Sequence, residues 1–197
     1  NGRVVCCFAG DGAYANGAPL ESLNMASMEQ FIDPKMNRAP FGVPVIYCIQ
    51  NNLYGMTGRL DEVMGVEYLA RRGAGFKENN MQAEVVNGMD VLAVRDAILR
   101  AAKECREGRG PIMRELINYR YYGHSLSDPR SEYRTKDEEA AWRAIDPITT
   151  FSDQMIAAKV LTKDSLAALQ QKVSDRNARA AVRAAEAADP DPKDVIR

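Results

Sequence analysis

Apolar residues in this chain occur in two patterns, as short continuous runs and as longer stretches with a helical period. The short runs cover residues 4–9, 43–49 and 112–117, and a weaker one covers residues 84–86. Runs of this length, rich in β-branched residues and bounded by glycine, proline or polar residues, are typical of strands in a parallel sheet that is covered on both faces. We therefore predict four strands, with residues 4–9 as a central strand buried on both faces.

The longer stretches predict helices between and after these strands. Residues 19–30 place apolar side chains on one side, residues 66–72 form a short helix, and residues 91–107 form a helix that ends at Gly108. Thr135 and Glu138 have the spacing of a capping box, so a further helix should start there. Residues 146–188 are rich in alanine and helical in pattern, with Leu166, Leu169 and Val173 in an apolar stripe.

Alternating strands and helices of these lengths indicate an α/β fold with a doubly wound, mostly parallel sheet. Residues 31–42 and 118–134 read as loops, and residues 189–197 as an extended tail. We assign residues 1–134 to the α/β domain and residues 135–197 to a helical carboxyl-terminal extension.

Composition excludes several classes of protein. The 197 residues carry a formal net charge of -1 and contain no basic run with interleaved aromatic residues, which argues against an obligate nucleic-acid binder. No apolar run is long enough to span a membrane. The four cysteines show no metal-finger spacing, so we expect buried free thiols and a reducing compartment. Because the chain starts at Asn1 directly before a core strand, we expect it to be a fragment or one piece of a larger polypeptide.

The first candidate site is the turn Gly10-Asp11-Gly12, which follows the first strand. Two glycines allow backbone N–H groups to approach a phosphate closely, and a following helix N-terminus favours negative charge. The Asp11 carboxylate would repel a pyrophosphate unless a divalent cation lay between them. This turn therefore suggests a metal-bridged diphosphate, and the alternative is a strand-to-helix turn with a capping aspartate.

The second candidate site follows the second strand, at Asn51 and Asn52. In an open parallel sheet, ligands bind beyond the carboxyl ends of the strands, so these residues should converge with Asp11. Carboxylate and amide oxygens suit Mg²⁺, although an asparagine pair is also ordinary turn chemistry. A rival interpretation is a degenerate dinucleotide fingerprint from Gly10 to Ala15, but the second strand lacks the acidic residue which that motif requires.

His124, the single histidine, lies in the polar loop after the last strand. An imidazole can donate to a phosphate or move a proton near neutral pH, and the alternative is a structural hydrogen bond. Ser125 and Ser127 flank it, but no nucleophile elbow is present, so a serine hydrolase is not indicated.

These motifs together resemble one family, the alpha subunits of the thiamine-diphosphate-dependent 2-oxo acid dehydrogenases, closest to the pyruvate dehydrogenases. The resemblance runs from residue 3 to about residue 190, and the fold it implies is the thiamine-diphosphate-binding fold. The loop around His124 is the most specific part of it. The segments that carry it are Gly10-Asp11-Gly12, Asn51 to Met56, Tyr119 to Pro129, Tyr133-Arg134-Thr135 and Asp146-Pro147-Ile148.

The resemblance implies roles for individual residues. Asp11, the Asn52 side chain and the Tyr54 carbonyl would hold Mg²⁺. The backbone of Gly10, Gly12 and Ala13 would line the diphosphate of thiamine diphosphate. His124 would lie near the diphosphate and the reacting centre and help pass the two-carbon unit to a lipoyl carrier, while Arg120 would order the loop.

The resemblance also implies a reaction and partners. The reaction is decarboxylation of a 2-oxo acid, most closely pyruvate, followed by reductive acylation of a lipoyl group on an acyltransferase within a multienzyme complex. A beta subunit would supply the acid that activates the cofactor, so this chain alone should be inactive. Such enzymes occupy the bacterial cytoplasm or the mitochondrial matrix.

Three features depart from the family pattern or bear on regulation. Residues 13–50 are longer than usual, with the surplus in residues 31–42, which should lie at the sheet edge opposite the cofactor. Tyr122 stands where the pyruvate enzymes commonly have a second histidine. Ser125 matches a position that mitochondrial members phosphorylate, where added negative charge beside a diphosphate would inhibit.

Three alternatives stay open at this point, and the first is a nicotinamide-dependent dehydrogenase that binds a dinucleotide without a divalent metal. An acetoin or branched-chain 2-oxo acid dehydrogenase would use the same scaffold, although the branched-chain enzymes tend to carry two adjacent histidines in the loop. A non-catalytic assembly module with a decayed site would use the alanine-rich helices to pack on a partner.

Overall fold

A four-stranded parallel sheet forms the centre of the fold. The structure is a computed structural model that describes residues 2–28, 43–76 and 81–193. The strands are β1 (Val5–Gly10), β2 (Val45–Asn51), β3 (Gln82–Asn87) and β4 (Ile112–Ile117), in the order β1-β2-β4-β3, and every neighbouring pair is parallel. The predicted α/β class with a mostly parallel sheet is therefore confirmed. The predicted loop at residues 31–42 lies outside the described residues.

Helical elements cover both faces of the sheet. Helix α1 (Gly17–Ala26), the short helix α2 (Leu60–Val63) and a 3₁₀ helix (Leu69–Gly75) pack on one face, and α3 (Val91–Arg106) packs on the other. Alternate residues of β2 point to opposite faces, as the strand period requires. Tyr47 and Ile49 join the α1 face, whereas Ile46 and Cys48 join the α3 face.

The position of β1 differs from the prediction. Among the described residues β1 pairs with β2 alone and lies at the edge of the sheet, and Val5 and Phe8 are 58% and 64% exposed. The prediction of a central strand buried on both faces is therefore wrong for these residues. An apolar run indicates that a strand is suited to burial, but it does not indicate where in the sheet the strand lies.

The cysteines divide in the same way. All four are free thiols, but Cys6 and Cys7 on β1 are exposed, so the prediction of burial holds only for Cys48 and Cys105. Burial raises the pKa of Cys48 to about 12 and that of Cys105 to about 11, which keeps both thiols protonated at neutral pH.

The helix boundaries follow local capping chemistry. Helix α1 begins two residues earlier than predicted, because the Asn16 side chain accepts a hydrogen bond from the Ala18 N–H and caps it, and it ends at Ala26. Helix α3 is capped by Asp90 and ends before Gly108, which adopts a positive φ of 81°. The short helix predicted over residues 66–72 is instead a 3₁₀ helix that begins three residues later, at Leu69–Gly75.

The carboxyl-terminal part is helical, as predicted. Thr135 caps α4 (Lys136–Ala144), and its hydroxyl accepts from the Glu138 N–H at 3.1 Å. Contacts divide the chain into two compact units, Asn1–Pro147 and Ile148–Arg197. Beyond α4 the chain forms α5 (Pro147–Ala157) and α6 (Lys163–Glu186), and Leu169 and Val173 of the predicted stripe are exposed. The division into an α/β domain of residues 1–134 and a helical extension of residues 135–197 stays a prediction.

A search of the described residues for a helix that is long and apolar enough to cross a membrane finds none.

The two leucines of α1 test the packing of this helix on the sheet. Leu23 is fully buried and Leu20 is 40% exposed. We expect Leu23→Ala to lower the free energy of unfolding by about 3 kcal/mol, because it leaves a cavity, and Leu20→Ala to lower it by less than about 1 kcal/mol. Urea denaturation measures both, and equal losses would contradict the packing described here.

Candidate functional site

All seven residues predicted to form the site line one cleft. The cleft, of about 450 Å³, is here called the Asp11 cleft, and Arg120 also lines it. The strand register explains the convergence, because Gly10 of β1 lies opposite Gln50 of β2, so the residues that follow both strands emerge side by side. The predicted residues on its wall are Gly10, Asp11, Gly12, Ala13, Asn52, Tyr54 and His124.

Asp11 is almost completely buried, with 1% of its surface exposed. Its Oδ1 accepts a hydrogen bond from the Gly12 N–H at 2.8 Å, but its Oδ2 is buried with no partner. Burial raises the pKa of Asp11, while the Gly12 N–H and the charge of Arg120 act in the opposite direction. One oxygen of this carboxylate is thus available to a ligand in the cleft.

Asn52 contributes a second oxygen of the same kind, since its Oδ1 is also buried without a partner. Buried polar atoms nearly always have a partner, so these two oxygens on one cleft are available to a ligand. Among the described residues there is no group of three or more histidine, cysteine, aspartate or glutamate side chains that could hold a metal ion. A cation here would therefore use one carboxylate together with amide or carbonyl oxygens, a set that suits Mg²⁺.

The backbone of the Gly10-Asp11-Gly12 turn packs directly on the turn that follows β2. A Cβ atom placed on Gly12 would lie 2.8 Å from the Cα of Gly55, whereas one placed on Gly10 would meet nothing within 4 Å. Gly12 is therefore required for the close approach of the two turns that carry Asp11 and Asn52.

The two asparagines at the end of β2 have different roles. Asn51 is 1% exposed, donates through its Nδ2 to Glu115 at 2.6 Å and accepts through its Oδ1 from the Leu53 N–H at 3.0 Å. Its hydrogen-bonding capacity is thus used within the protein, while Asn52 presents its oxygen to the cleft. The position of both residues after β2 does not distinguish them, whereas the family resemblance implied Asn52.

Arg120 ties the turn after β2 to the loop that carries His124. Its guanidinium donates to the carbonyl oxygens of Gly55 at 2.9 Å and Met56 at 2.7 Å, and to the hydroxyl of Tyr133 at 3.0 Å. The nitrogen that donates to Gly55, Nη1, also lies 3.4 Å from Nδ1 of His124. Because a guanidinium only donates, Nδ1 is the acceptor, and the neutral imidazole carries its proton on Nε2.

Asp128 holds the same loop from inside, and sequence reasoning did not single it out. Its Oδ2 accepts from the backbone N–H of His124 and from the Tyr133 hydroxyl, the latter at 2.6 Å. These hydrogen bonds, with that from Tyr133 the larger influence, lower the pKa of Asp128. The local signal was the four-residue spacing between His124 and an Asp-Pro pair, which favours a side-chain-to-backbone turn.

Glu138 on α4 is a second residue that was missed. Its Oε1 accepts from the hydroxyl groups of Tyr54 at 2.7 Å and Tyr119 at 3.1 Å, so it does not complete the predicted capping box. Burial, with a smaller effect of the bond to Glu138, raises the pKa of Tyr54 and keeps its phenol protonated. The guanidinium of Arg134 stacks within 5.5 Å of the Tyr54 and Tyr119 rings and completes this cluster.

Ser125 lies on the exposed rim beyond His124. Its hydroxyl is 3.3 Å from that of Ser127, so the two serines interact within their own loop.

Known proteins are similar to this chain over most of its length. The family model described as "Dehydrogenase E1 component" matches residues 1–193. The chain is 36% identical over 199 residues to the pyruvate dehydrogenase E1 component subunit alpha, mitochondrial, of Dictyostelium discoideum, which covers 99% of this chain and 48% of the relative. It is 36% identical over 176 residues to the pyruvate dehydrogenase E1 component subunit alpha of Rhizobium meliloti (strain 1021), over 89% of this chain and 46% of the relative.

A third relative is the pyruvate dehydrogenase E1 component subunit alpha type II, mitochondrial, of Ascaris suum. It is 37% identical over 175 residues, which are 87% of this chain and 40% of the relative. The chain thus spans less than half the length of these curated relatives.

The contact between Gly12 and Gly55 generates a matched pair of variants. We expect Gly12→Ala to lower the free energy of unfolding by about 2 kcal/mol, because its Cβ would press on backbone, and Gly10→Ala to change it by less than about 1 kcal/mol. Denaturant unfolding measures both. Equal stability of the two variants would show that the turns are not in close contact.

The burial of Asp11 generates a pH-dependent prediction. The pKa of Asp11 in the folded protein lies above its ordinary value of 3.8, so the ionised carboxylate lowers the free energy of unfolding at neutral pH. This penalty disappears as the pH falls through the folded-state pKa and the carboxylate is protonated. In the presence of a chelator, Asp11→Asn should therefore be more stable than the natural chain at pH 7, by about 1 kcal/mol.

This difference should shrink as the pH is lowered towards 4, as thermal unfolding across that range would show. Asp96→Asn, at an exposed position of α3, is the control and should show no such trend. A destabilised Asp11→Asn protein at pH 7 would contradict the prediction.

Proposed function

The chain belongs to the dehydrogenase E1 component family, and we propose that it holds the diphosphate and Mg²⁺ of thiamine diphosphate in a 2-oxo acid dehydrogenase. The relatives that support this proposal are named as subunits alpha of pyruvate dehydrogenase E1 components. The chain spans less than half of each, so the activity of the whole enzyme is part of the proposal.

The observation that carries the proposal is the pair of buried, unpartnered oxygens, Asp11 Oδ2 and Asn52 Oδ1, on one cleft. A buried carboxylate oxygen beside an anionic cofactor is unfavourable unless a cation lies between them. The residues present fit Mg²⁺, which favours a few protein oxygens and completes its shell with phosphate oxygens and water. We assign Asp11, Asn52 and the Tyr54 carbonyl as its ligands.

The backbone of the first turn would contact the diphosphate. Gly10 and Gly12 have no side chain between the backbone and the cleft, and Ala13 adds only a methyl group. The 3₁₀ helix Asp11–Ala15 begins within this turn, and the amino-terminal end of a helix favours negative charge.

His124 is the residue that we place at the reacting centre. When bound, thiamine diphosphate supplies the carbanion chemistry that decarboxylates a 2-oxo acid. An Arg120 guanidinium nitrogen faces Nδ1 of His124, so an uncharged ring would carry its proton on Nε2 and could donate it to an oxygen in the cleft. Asp128 and Arg120 fix the loop on which this donor lies.

We further propose pyruvate as the substrate, a beta subunit as the partner that supplies the acid activating the cofactor, and a lipoyl-bearing acyltransferase as the acceptor of the acyl group. The names of the relatives support this assignment over the nicotinamide and assembly-module alternatives. They include mitochondrial and bacterial proteins, in accord with a mitochondrial matrix or bacterial cytoplasmic location. Without the beta subunit the chain should be inactive.

Calorimetry of thiamine diphosphate binding tests the proposal. The full-length protein combined with its beta subunit should bind the cofactor with Mg²⁺ present, and chelation of Mg²⁺ or the change Asp11→Ala should weaken binding by about 10²-fold, because a metal ligand is lost. Asp96→Ala removes an exposed aspartate of α3 and should leave the affinity unchanged. Binding that is indifferent both to Mg²⁺ and to Asp11→Ala would refute the proposed site.

A further inference from the structure

Glu115 is a fully buried carboxylate in the central strand β4 that the proposed chemistry does not use. It is 0% exposed, yet it lies in a sheet between two layers of helices. Its Oε1 accepts from the Asn51 Nδ2 at 2.6 Å, and its Oε2 accepts from the Ala70 N–H at 2.7 Å. A buried carboxylate needs such donors, and here they come from the end of β2 and from the start of the 3₁₀ helix Leu69–Gly75.

The contact with Glu115 determines which way the Asn51 side chain faces. A carboxylate accepts hydrogen bonds and does not donate them, so the amide nitrogen of Asn51 must face Glu115. The amide oxygen of Asn51 then faces the Leu53 N–H, at 3.0 Å. Because Asn51 is 1% exposed, water does not compete for either contact.

The bond from Leu53 to Asn51 stabilises a strained turn. Leu53 has a φ of 71°, in the left-handed region that side chains other than glycine, asparagine and aspartate rarely adopt. Asn52, whose Oδ1 is unpartnered in the Asp11 cleft, lies between the two bonded residues, and Tyr54 follows directly. Asn52 therefore lies inside the turn that the bond between Leu53 and Asn51 closes.

We propose that Glu115 is a positioning residue for the metal site: it orients Asn51, Asn51 holds the left-handed turn at Leu53, and that turn aims Asn52 at the cation. This inference rests on the proposed function, since it assigns the cation to Asp11 and Asn52. Glu115 itself does not touch the cation or the cofactor.

The test is a Mg²⁺ titration of the full-length protein with its beta subunit, followed by thermal shift and by calorimetry and not by activity. In Glu115→Gln, one N–H donor would face the glutamine amide group instead of an acceptor. We expect the Mg²⁺ midpoint to rise by about tenfold, the size typical of a residue that orients a metal ligand. Glu21→Gln, at an exposed position of α1, is the matched control and should leave the midpoint unchanged.

A rescue separates positioning from general stability. Asparagine adopts the left-handed conformation more readily than leucine, so Leu53→Asn should hold the turn without the contact to Asn51. In the Leu53→Asn background, Glu115→Gln should raise the Mg²⁺ midpoint by less than about threefold. If Glu115→Gln does not fold, Asn51→Ala with and without Leu53→Asn tests the same rescue.

The outcomes are distinct. A Glu115→Gln protein with a lowered melting temperature but an unchanged Mg²⁺ midpoint would show a merely structural role and overturn the inference. An equal shift in both Leu53 backgrounds would overturn it as well. A natural complex that shows no Mg²⁺ effect at all would instead overturn the proposed function, and the inference with it.

Discussion

A buried carboxylate with one unpaired oxygen raises the free energy of a folded protein. Asp11 is such a group, and it lies where the carboxyl ends of β1 and β2 meet. Asp11 is fixed by the Gly12 N–H on one oxygen and left open on the other. The turn that carries Asp11 and the turn after β2 approach so closely that no side chain fits between Gly12 and Gly55. Asp11 is thus locally unfavourable for stability, and well-packed neighbours keep it in place. Binding sites commonly lower the stability of a fold in this way.

Hydrogen bonds join three segments around the site: the turn after β2, the loop that carries His124, and α4. Arg120 joins the turn after β2 to the His124 loop through backbone carbonyl groups, and Glu138 joins both to α4 through tyrosine hydroxyl groups. Each contact links segments that are remote in sequence, so displacement of one element would disturb the others. Second layers of this kind commonly set the geometry of metal and cofactor sites.

The site was predictable from sequence where its residues follow strands directly. Asp11 and Asn52 converge because neighbouring parallel strands end at the same edge, and that rule needs only the strand positions. The contacts of Glu115 with Asn51 and of Glu138 with Tyr54 were not predictable, because they join residues 64 and 84 positions apart; the capping-box spacing of Glu138 pointed to a different role. The edge position of β1 was missed for a related reason: pairing order depends on long-range contacts that a run of apolar residues does not encode.

That edge has a consequence for handling the protein. Val5 and Phe8 present large apolar side chains on a strand whose outer N–H and C=O groups face away from its single described neighbour. An open edge of this composition is a template on which a second strand can add, and such addition underlies much of the self-association of β-containing proteins. No strand of the described residues pairs with this edge, so a further strand, from elsewhere in the protein or from a second copy, can add to β1, and Phe8→Lys should hinder that pairing.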